Sequence, residues 1–236
     1  MNLQHILDGL FPAGHDVSVH GQLVAGCAQT ALGTVTVLGT TDAAAIGHDI
    51  ALGLAGRVLD VVDEHPGRPI VFLVDTKGQA LSRAEELLCL NGSLAHLARC
   101  VDLARRQGHT SLALVTGEAV SGGFLSFGLM ADKTYALADA QVRVMDLKAM
   151  ARVTKIPYER LQELAAESPT FAPGAENYLR MGAIEAIWDA PRAALLEAAL
   201  AGQQAAGPAA DERMARGAER GGRHLAAATA AAVVSA

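Results

Sequence analysis

Two short turns hold the residues best placed to do chemistry, and neither offers an obviously reactive side chain. The run Leu112-Ala113-Leu114-Val115-Thr116-Gly117-Glu118-Ala119-Val120 is strand-like and breaks at Ser121-Gly122-Gly123. It restarts with helical spacing at Phe124-Leu125-Ser126-Phe127-Gly128-Leu129-Met130. Two adjacent glycines at such a junction let a substrate approach the main chain, because no Cβ stands in the way. They also leave amide N–H groups free at a helix start, where partial positive charge gathers. Upstream, the apolar run Pro69-Ile70-Val71-Phe72-Leu73-Val74-Asp75 ends in a second glycine turn, Thr76-Lys77-Gly78. If the two strands are neighbours, the amide near Gly78 and one from Gly122 or Gly123 face the same oxygen. Such donors hold a thioester oxygen as it becomes an enolate, and losing one costs roughly 2.7–4 kcal/mol of transition-state stabilisation. Gly78 taken alone reads as an ordinary turn glycine; the pair together reads as a site.

The side chains nearby are weaker candidates. Ser121 lacks the first glycine of a G-x-S-x-G elbow, so it reads as a substrate-contacting or helix-capping hydroxyl rather than a nucleophile. Glu118 falls on the strand side of the turn, which makes it a poor general acid, and Asp146 reads as a helix cap. Cys27, Cys89 and Cys100 are odd in number and unevenly spaced, form no CxxC pair, and read as buried small hydrophobes in a reducing, cytoplasmic protein. The eight histidines are scattered, with no HExxH or Cys/His cluster, so no metal is expected. Arg213, Arg216, Arg220 and Arg223 recur at +3, +4, +3 and share one helical stripe. That stripe is a candidate dock for an anionic partner, although the interleaved Glu212 and Glu219 also fit a solvated, partly paired surface.

Strands and helices must alternate to position these turns. Residues 33–40 alternate β-branched residues between glycines and read as a strand. A long helix is expected over residues 43–64, with Ile46, Ile50, Leu54, Val58, Val61 and Val62 near one face, ending before His65-Pro66-Gly67. Residues 69–75 have the continuous apolar character of a strand buried on both faces. Residues 76–81 read as a loop, and Ser82 with Glu85 as a capping box opening a helix that runs to Arg106, with Asn91-Gly92 as the place where it can be interrupted. The strand over 111–116 leads into the double glycine, followed by a helix over 124–130. Residues 134–138 and 141–145 read as two short strands joined by Asp139-Ala140. Helices follow over 159–167, 175–181 and 192–204, then a break at Gly207-Pro208, an Arg-rich helix and a slack Ala-rich tail. The pattern is that of an α/β domain with largely parallel pairing over residues 33–205, preceded by a docking segment (1–32) and followed by a C-terminal helix and tail (206–236).

Composition narrows the function. The 236 residues are 51% hydrophobic and 19% charged, which describes a globular chain. Aromatics are 4%, so the core is built from Ala, Val, Leu and Ile. A net charge of -6 argues against non-specific nucleic-acid binding. The first residues, Met1-Asn2-Leu3-Gln4-His5, show no basic region leading into an apolar one, and the apolar stretch over 225–236 is too short to span a bilayer. No membrane association is expected.

The ordered set Val74-Asp75-Thr76-x-Gly78, a long helix, then Thr116-Gly117-Glu118-x-x-Ser121-Gly122-Gly123 resembles the crotonase superfamily, in particular its carboxyltransferase branch. The stretch from Gly47 to Asp60 followed by Gly67-Arg68-Pro69-Ile70-Val71 is similar to that branch too. Met145-Asp146-Leu147-Lys148-Ala149-Met150-Ala151-Arg152-Val153-Thr154-Lys155 and Ser168-Pro169-Thr170-Phe171-Ala172-Pro173-Gly174 resemble the gamma-subunit family of biotin-independent malonate decarboxylase. The resemblance spans roughly residues 30–190.

It implies a crotonase-like α/β fold, a spiral of β-β-α units with C-terminal helices. It also implies a carboxy-lyase subunit that works with a homologous beta subunit to convert malonyl-S-acyl-carrier protein to the acetyl form and CO₂. A transferase subunit loads the malonyl group onto the acyl-carrier protein. The substrate then hangs from a phosphoribosyl-dephospho-CoA group on the carrier, and no cofactor binds this chain directly. In that setting Gly78 and Gly122 or Gly123 supply the oxyanion amides, Lys77 and Ser121 contact substrate, and Arg213, Arg216, Arg220 and Arg223 help dock the carrier. The absence of an obvious pocket carboxylate suits decarboxylation better than hydration. It suits carboxyl transfer equally, so a carboxyltransferase subunit of a biotin-dependent carboxylase is the alternative, with a non-catalytic scaffold for a catalytic partner as a third.

Overall fold

A computed structural model describes residues 2–167, 172–206, 211–222 and 224–235 of the chain. The centre is a nine-stranded sheet. Its first three strands, β1 (His15–His20), β2 (Leu23–Thr30) and β3 (Gly33–Thr40), form an antiparallel meander. From β3 onward the pairing is parallel, through β5 (Ile70–Gln79), β6 (Ser111–Val120), β7 (Lys133–Leu137) and the short β9 (Ile187–Trp188).

The two central strands change neighbours half way along. Residues 70–73 of β5 pair with β3, whereas residues 76–79 pair with β4 (Ala44–Ile46). Residues 112–115 of β6 pair with β7, whereas residues 118–120 pair with β8 (Gln141–Arg143). Asp75 stands at the changeover. Its carboxylate accepts the Ala43 amide at 3.0 Å and the Glu118 amide at 2.8 Å, tying β4 and β6 to β5. Two main-chain donors on one half-buried carboxylate give Asp75 a structural task.

Alternate residues of β5 feed two cores, which explains its unbroken apolar run. Ile70, Phe72 and Val74 pack with α2 (His48–Glu64), α4 (Leu90–Arg106) and α5 (Ser121–Phe127) through Leu54, Val58, Leu97, Val101, Phe124 and Phe127. Val71 and Leu73 pack on the other face with α1 (Leu3–Leu10) and α9 (Ala193–Ala206), through Leu7, Leu10, Trp188, Leu196 and Leu200. The segment 1–32, read from the sequence as a docking segment, thus contains α1 and two strands of the main sheet, with Ile6, Leu7, Leu10 and Phe11 buried in the second core.

Several elements depart from the sequence expectation for identifiable reasons. Residues 44–46 form β4 rather than the first turn of the long helix, because Asp42 (φ 57°) and Ala43 (φ 47°) swing the chain alongside β5, and α2 starts only at His48. With β4 as a neighbour, β5 continues through residues 76–79, where a loop was expected. Helix α5 begins at Ser121, three residues early. Strands β7 and β8, joined by Asp139-Ala140 as read from the sequence, each add in parallel to a different stretch of β6. The interruption allowed for near Asn91-Gly92 falls slightly earlier: helix α3 (Arg83–Leu87) is separated from α4 by Leu88 and Cys89, the latter in the left-handed region at φ 66°. Of the cysteines only Cys100 is buried; Cys27 is half-buried and Cys89 exposed. The tail is helical over α11 (His224–Val234), and the Gly207-Pro208 break lies outside the described residues. Among the described residues no helix is long and apolar enough to cross a membrane.

Candidate active site

The two glycine turns meet. A Cβ placed on Gly123 would stand 2.9 Å from the Cα and the carbonyl carbon of Gly78, and 2.9 Å from Thr76 Oγ1. A Cβ on Gly78 would stand 3.2 Å from the Val120 carbonyl oxygen and 3.5 Å from Ser121 Cβ. The parallel pairing of β5 with β6, shifted in register between Val74 and Thr76, brings the C-terminal ends of the two strands together. Such strand ends are where ligands bind in α/β folds.

The amides do not all point the same way. Gly78 adopts φ 102°, and its N–H donates to Thr76 Oγ1 at 3.0 Å. That threonine is fully buried and donates onward to the Ala44 carbonyl at 2.7 Å. The Gly78 amide is therefore occupied inside the chain, and the expectation that it faces the reacting oxygen does not hold. The second turn is different. Ser121 is in the left-handed region at φ 49°, which turns β6 abruptly into α5. No side chain caps α5, and the first-turn amides of any helix lack an intrahelical acceptor. Gly123 is buried beneath Gly78, whereas Gly122 and Ser121 are half-buried at the rim. Gly123 is thus the packing glycine and Gly122 the accessible one. Lys77 is exposed beside them.

Residues that the sequence left in the background surround this junction. Gln79 and Leu94 flank Gly122: a Cβ there would stand 3.3 Å from Gln79 Oε1 and 3.7 Å from Leu94 Cδ1. Glu85 was expected to close a capping box with Ser82, but only half of that box forms. Ser82 Oγ accepts the Glu85 amide at 3.2 Å, while the Glu85 carboxylate instead accepts the His48 amide at 2.9 Å, capping α2 from a different element. His48 Nδ1 lies 2.8 Å from Ser93 Oγ and Nε2 lies 3.0 Å from the Glu85 carbonyl oxygen. With both ring nitrogens engaged, His48 braces α2, α3 and α4 around the turn. An S-x-x-E spacing looks the same whichever way its glutamate turns, so no local signal pointed to His48.

Glu118 forms an ion pair with Arg143 on β8. Asp146 accepts the Ala149 amide at 2.8 Å as the N-cap of α6 (Leu147–Thr154), as its spacing indicated. The arginine stripe turns inward. On α10 (Arg213–Glu219) and the residue after it, Arg213 donates to the Ala131 carbonyl, and Arg216 pairs with Glu185 at 2.9 Å. Arg220 donates to the carbonyls of Leu179, Ile184 and Glu185 at 3.0, 2.9 and 3.1 Å. These three fasten α10 to the body. Arg223, and residues 168–171 of the Ser168-to-Gly174 stretch, lie outside the described residues.

Clefts of about 290, 200 and 500 Å³ occur elsewhere, and none of them is lined by Gly78, Gly122 or Gly123. The first two, lined by Arg105, Asp132 and Gln203 among others, open near the N-terminal ends of β6 and β7. At the glycine junction Gly78 and Gly123 are buried, while Ser121 and Gly122 keep partial exposure on a ledge beside exposed leucines. Leu81, two residues beyond Gln79, is 87% exposed; Leu87 and Leu88 after α3 and Leu125 on α5 are exposed too. Among the described residues no group of three or more His, Cys, Asp or Glu side chains is arranged to hold a metal.

Comparison with known proteins gives the family and the fold. The family profile described as malonate decarboxylase gamma subunit matches residues 41–236. The malonyl-S-ACP:biotin-protein carboxyltransferase MADD of Malonomonas rubra is 35% identical over 170 residues, covering 67% of this chain and 58% of the relative. The chain thus spans less than two thirds of that relative's length. Among solved structures, a Pseudomonas malonate decarboxylase hetero-tetramer in complex with coenzyme A contains a chain matching with a TM-score of 0.79 at 23% identity, over 98% of this chain and 97% of that one. A chain of the Pseudomonas MdcD-MdcE hetero-dimer matches with a TM-score of 0.67 at 28% identity, over 77% and 76%. The crotonase-like α/β architecture is that of these carboxyltransferase-type folds. With the profile covering all but the first forty residues, this chain belongs to the malonate decarboxylase gamma subunit family.

Proposed function

We propose that this chain is the gamma subunit of a malonyl-S-acyl-carrier decarboxylase, acting with a beta subunit to release CO₂ and leave the acetyl-S-carrier. The observation that carries this reading is the junction of β5 and β6. An accessible main-chain amide at Gly122 sits at a ledge with no competing carboxylate, since Asp75 and Glu118 are both engaged. When the bond between the malonyl carboxylate and the α-carbon breaks, its electron pair passes into the thioester enolate, and the charge collects on the former carbonyl oxygen. A fixed N–H aimed at that oxygen lowers the barrier without reorganising.

The ledge supports a site completed by the partner. Exposed leucines 81, 87, 88 and 125 beside a catalytic edge are what a subunit interface covers. The neighbours that are hetero-dimers and hetero-tetramers support the same arrangement. In this reading the exposed Lys77 meets phosphates of the phosphoribosyl-dephospho-CoA arm, and the half-buried Ser121 contacts the acyl group. An acyl-carrier subunit and a transferase subunit complete the cycle in this reading, in the cytoplasm.

A second reading is favoured by the Malonomonas relative, whose name specifies a biotin protein as acceptor. There the same enolate forms, but the carboxyl group passes to biotin. One experiment separates the two. The chain is coexpressed with its genomic neighbours, the complex purified, and CO₂ release from malonyl-S-carrier measured with and without avidin. Decarboxylation indifferent to avidin is expected; activity abolished by avidin selects carboxyl transfer. Full activity in a folded Gly123→Val complex would instead make the chain a scaffold.

A further inference from the structure

Two uncovered surfaces border the glycine junction, and their chemistry differs. One is the set of exposed leucines, 81, 87, 88 and 125. The other is α6. Strand β8 runs beside the end of β6, with Arg143 opposite Val120, the residue before Ser121. Only Val144, Met145 and the cap Asp146 separate Arg143 from α6, so that helix starts at the same end of the sheet as the junction.

Helix α6 buries none of its residues. Lys148, Arg152 and Lys155, spaced +4 and +3 along the helix and its C-cap, share one face and are all exposed. Among the described residues, none of these three side chains has a hydrogen-bond or ion-pair partner. Neighbouring cations do: Arg143 pairs with Glu118, and Arg160 with Glu163. Like charges one turn apart repel, so the stripe works against the helix that carries it. On a chain of net charge -6, three cations in a row create a local field of the opposite sign.

The two surfaces suit different partners. Interfaces that stay closed are rich in apolar side chains and poor in lysine, which fits the leucines and a permanent subunit. Exposed charges instead set encounter rate and partner choice, which fits a partner that comes and goes. In the decarboxylase reading above, on which this inference rests, the substrate arrives on a carrier that must leave after each turnover. We propose that Lys148, Arg152 and Lys155 of α6 form the docking face for the acyl-carrier subunit, which meets them with an acidic face of its own. The contact is between protein surfaces and leaves the phosphates of the carrier's arm to the ledge. It also moves the docking role away from the α10 arginines, which are spent on holding that helix to the body.

The test uses the coexpressed complex with Lys148→Glu, Arg152→Glu and Lys155→Glu combined, against wild type. Melting temperature and copurification with the beta subunit verify the complex. Affinity for the purified acyl-carrier subunit, carrying no malonyl group, is measured by calorimetry at about 0.05 M and about 0.5 M salt. The reversal is expected to weaken binding about tenfold or more at low salt, with the difference largely gone at high salt. Affinity for free coenzyme A should stay within about twofold, and KM for malonyl-S-carrier should rise while kcat at saturation holds. Replacing the same three residues by Gln should give a smaller loss of the same kind, and carries the test if the reversed chain does not fold. Carrier affinity within about twofold of wild type at low salt overturns the proposal. So does an equal loss of coenzyme A binding, which would make the stripe a phosphate site, or loss of the beta subunit from a folded chain, which would make it part of that interface. A wild-type complex that binds the carrier yet releases no CO₂ from malonyl-S-carrier sinks the decarboxylase reading and leaves the dock to be judged by affinity alone.

Discussion

Gly123 lies directly against Gly78: a methyl group added to Gly123 would stand 2.9 Å from the Gly78 Cα. This contact holds the ends of β5 and β6 at a separation that no other residue type permits. Gly123→Ala is therefore expected to force the two turns apart, with an overpacking cost of about 1–3 kcal/mol. Denaturant unfolding measures that cost, and decarboxylation by the coexpressed complex should fall with it. Gly56→Ala is the control: no atom lies within 4 Å of its added methyl, and the helical site should gain about 0.5–1 kcal/mol.

Thr76 holds the first turn from inside. Thr76→Val keeps the shape but removes the acceptor of the Gly78 N–H and the donor to the Ala44 carbonyl. Leaving buried partners unsatisfied costs about 1–3 kcal/mol, so the variant should unfold at lower denaturant with an unchanged m-value. Thr76→Ser keeps the hydroxyl and should recover most of the loss. Equal stability of Val and wild type would mean that the Gly78 amide does not depend on this bond.

Arg220 tests whether the arginine stripe faces inward in solution. Arg220→Met removes the donor to three carbonyls, those of Leu179, Ile184 and Glu185. The expected outcome is a lower melting temperature and faster amide exchange in α10. The affinity for the acyl-carrier subunit and its salt dependence should stay close to wild type. A large salt-dependent loss of carrier affinity at unchanged stability would return the stripe to a docking role.

Asp102 offers a pH-dependent readout. The Arg105 guanidinium, 2.6 Å away, and then that of Arg106, also at 2.6 Å, hold its carboxyl below the ordinary value of 3.8. A carboxylate depressed in the folded state adds stability that is present above 3.8 and lost as pH falls through the lower folded-state value. Asp102→Asn is therefore expected to cost about 0.5–1 kcal/mol at neutral pH, a small effect because the pairs are solvent-exposed. The difference from wild type should shrink as the pH drops below 3.8, measured by thermal unfolding across acid pH.

Much of the framework was legible along the chain. Continuous apolar runs at 70–74 and 112–115 marked buried strands, and the glycine pair at 122–123 marked a close approach. Asp146 announced its helix by spacing alone. These signals are local: periodicity, missing Cβ atoms and a capping side chain act within a few residues of themselves.

Ala44–Ile46 is helical by composition and becomes a strand because β5 is beside it. The Gly78 amide, the Glu85 carboxylate and the arginines of α10 each had more than one plausible partner. Their choices went to Thr76 and, across large sequence separations, to His48 and to the carbonyls near residue 180. Sequence patterns record which groups must be buried or bonded. Packing settles which partner each one meets, because a hydrogen bond is fixed by direction and distance and only the assembled layers supply both.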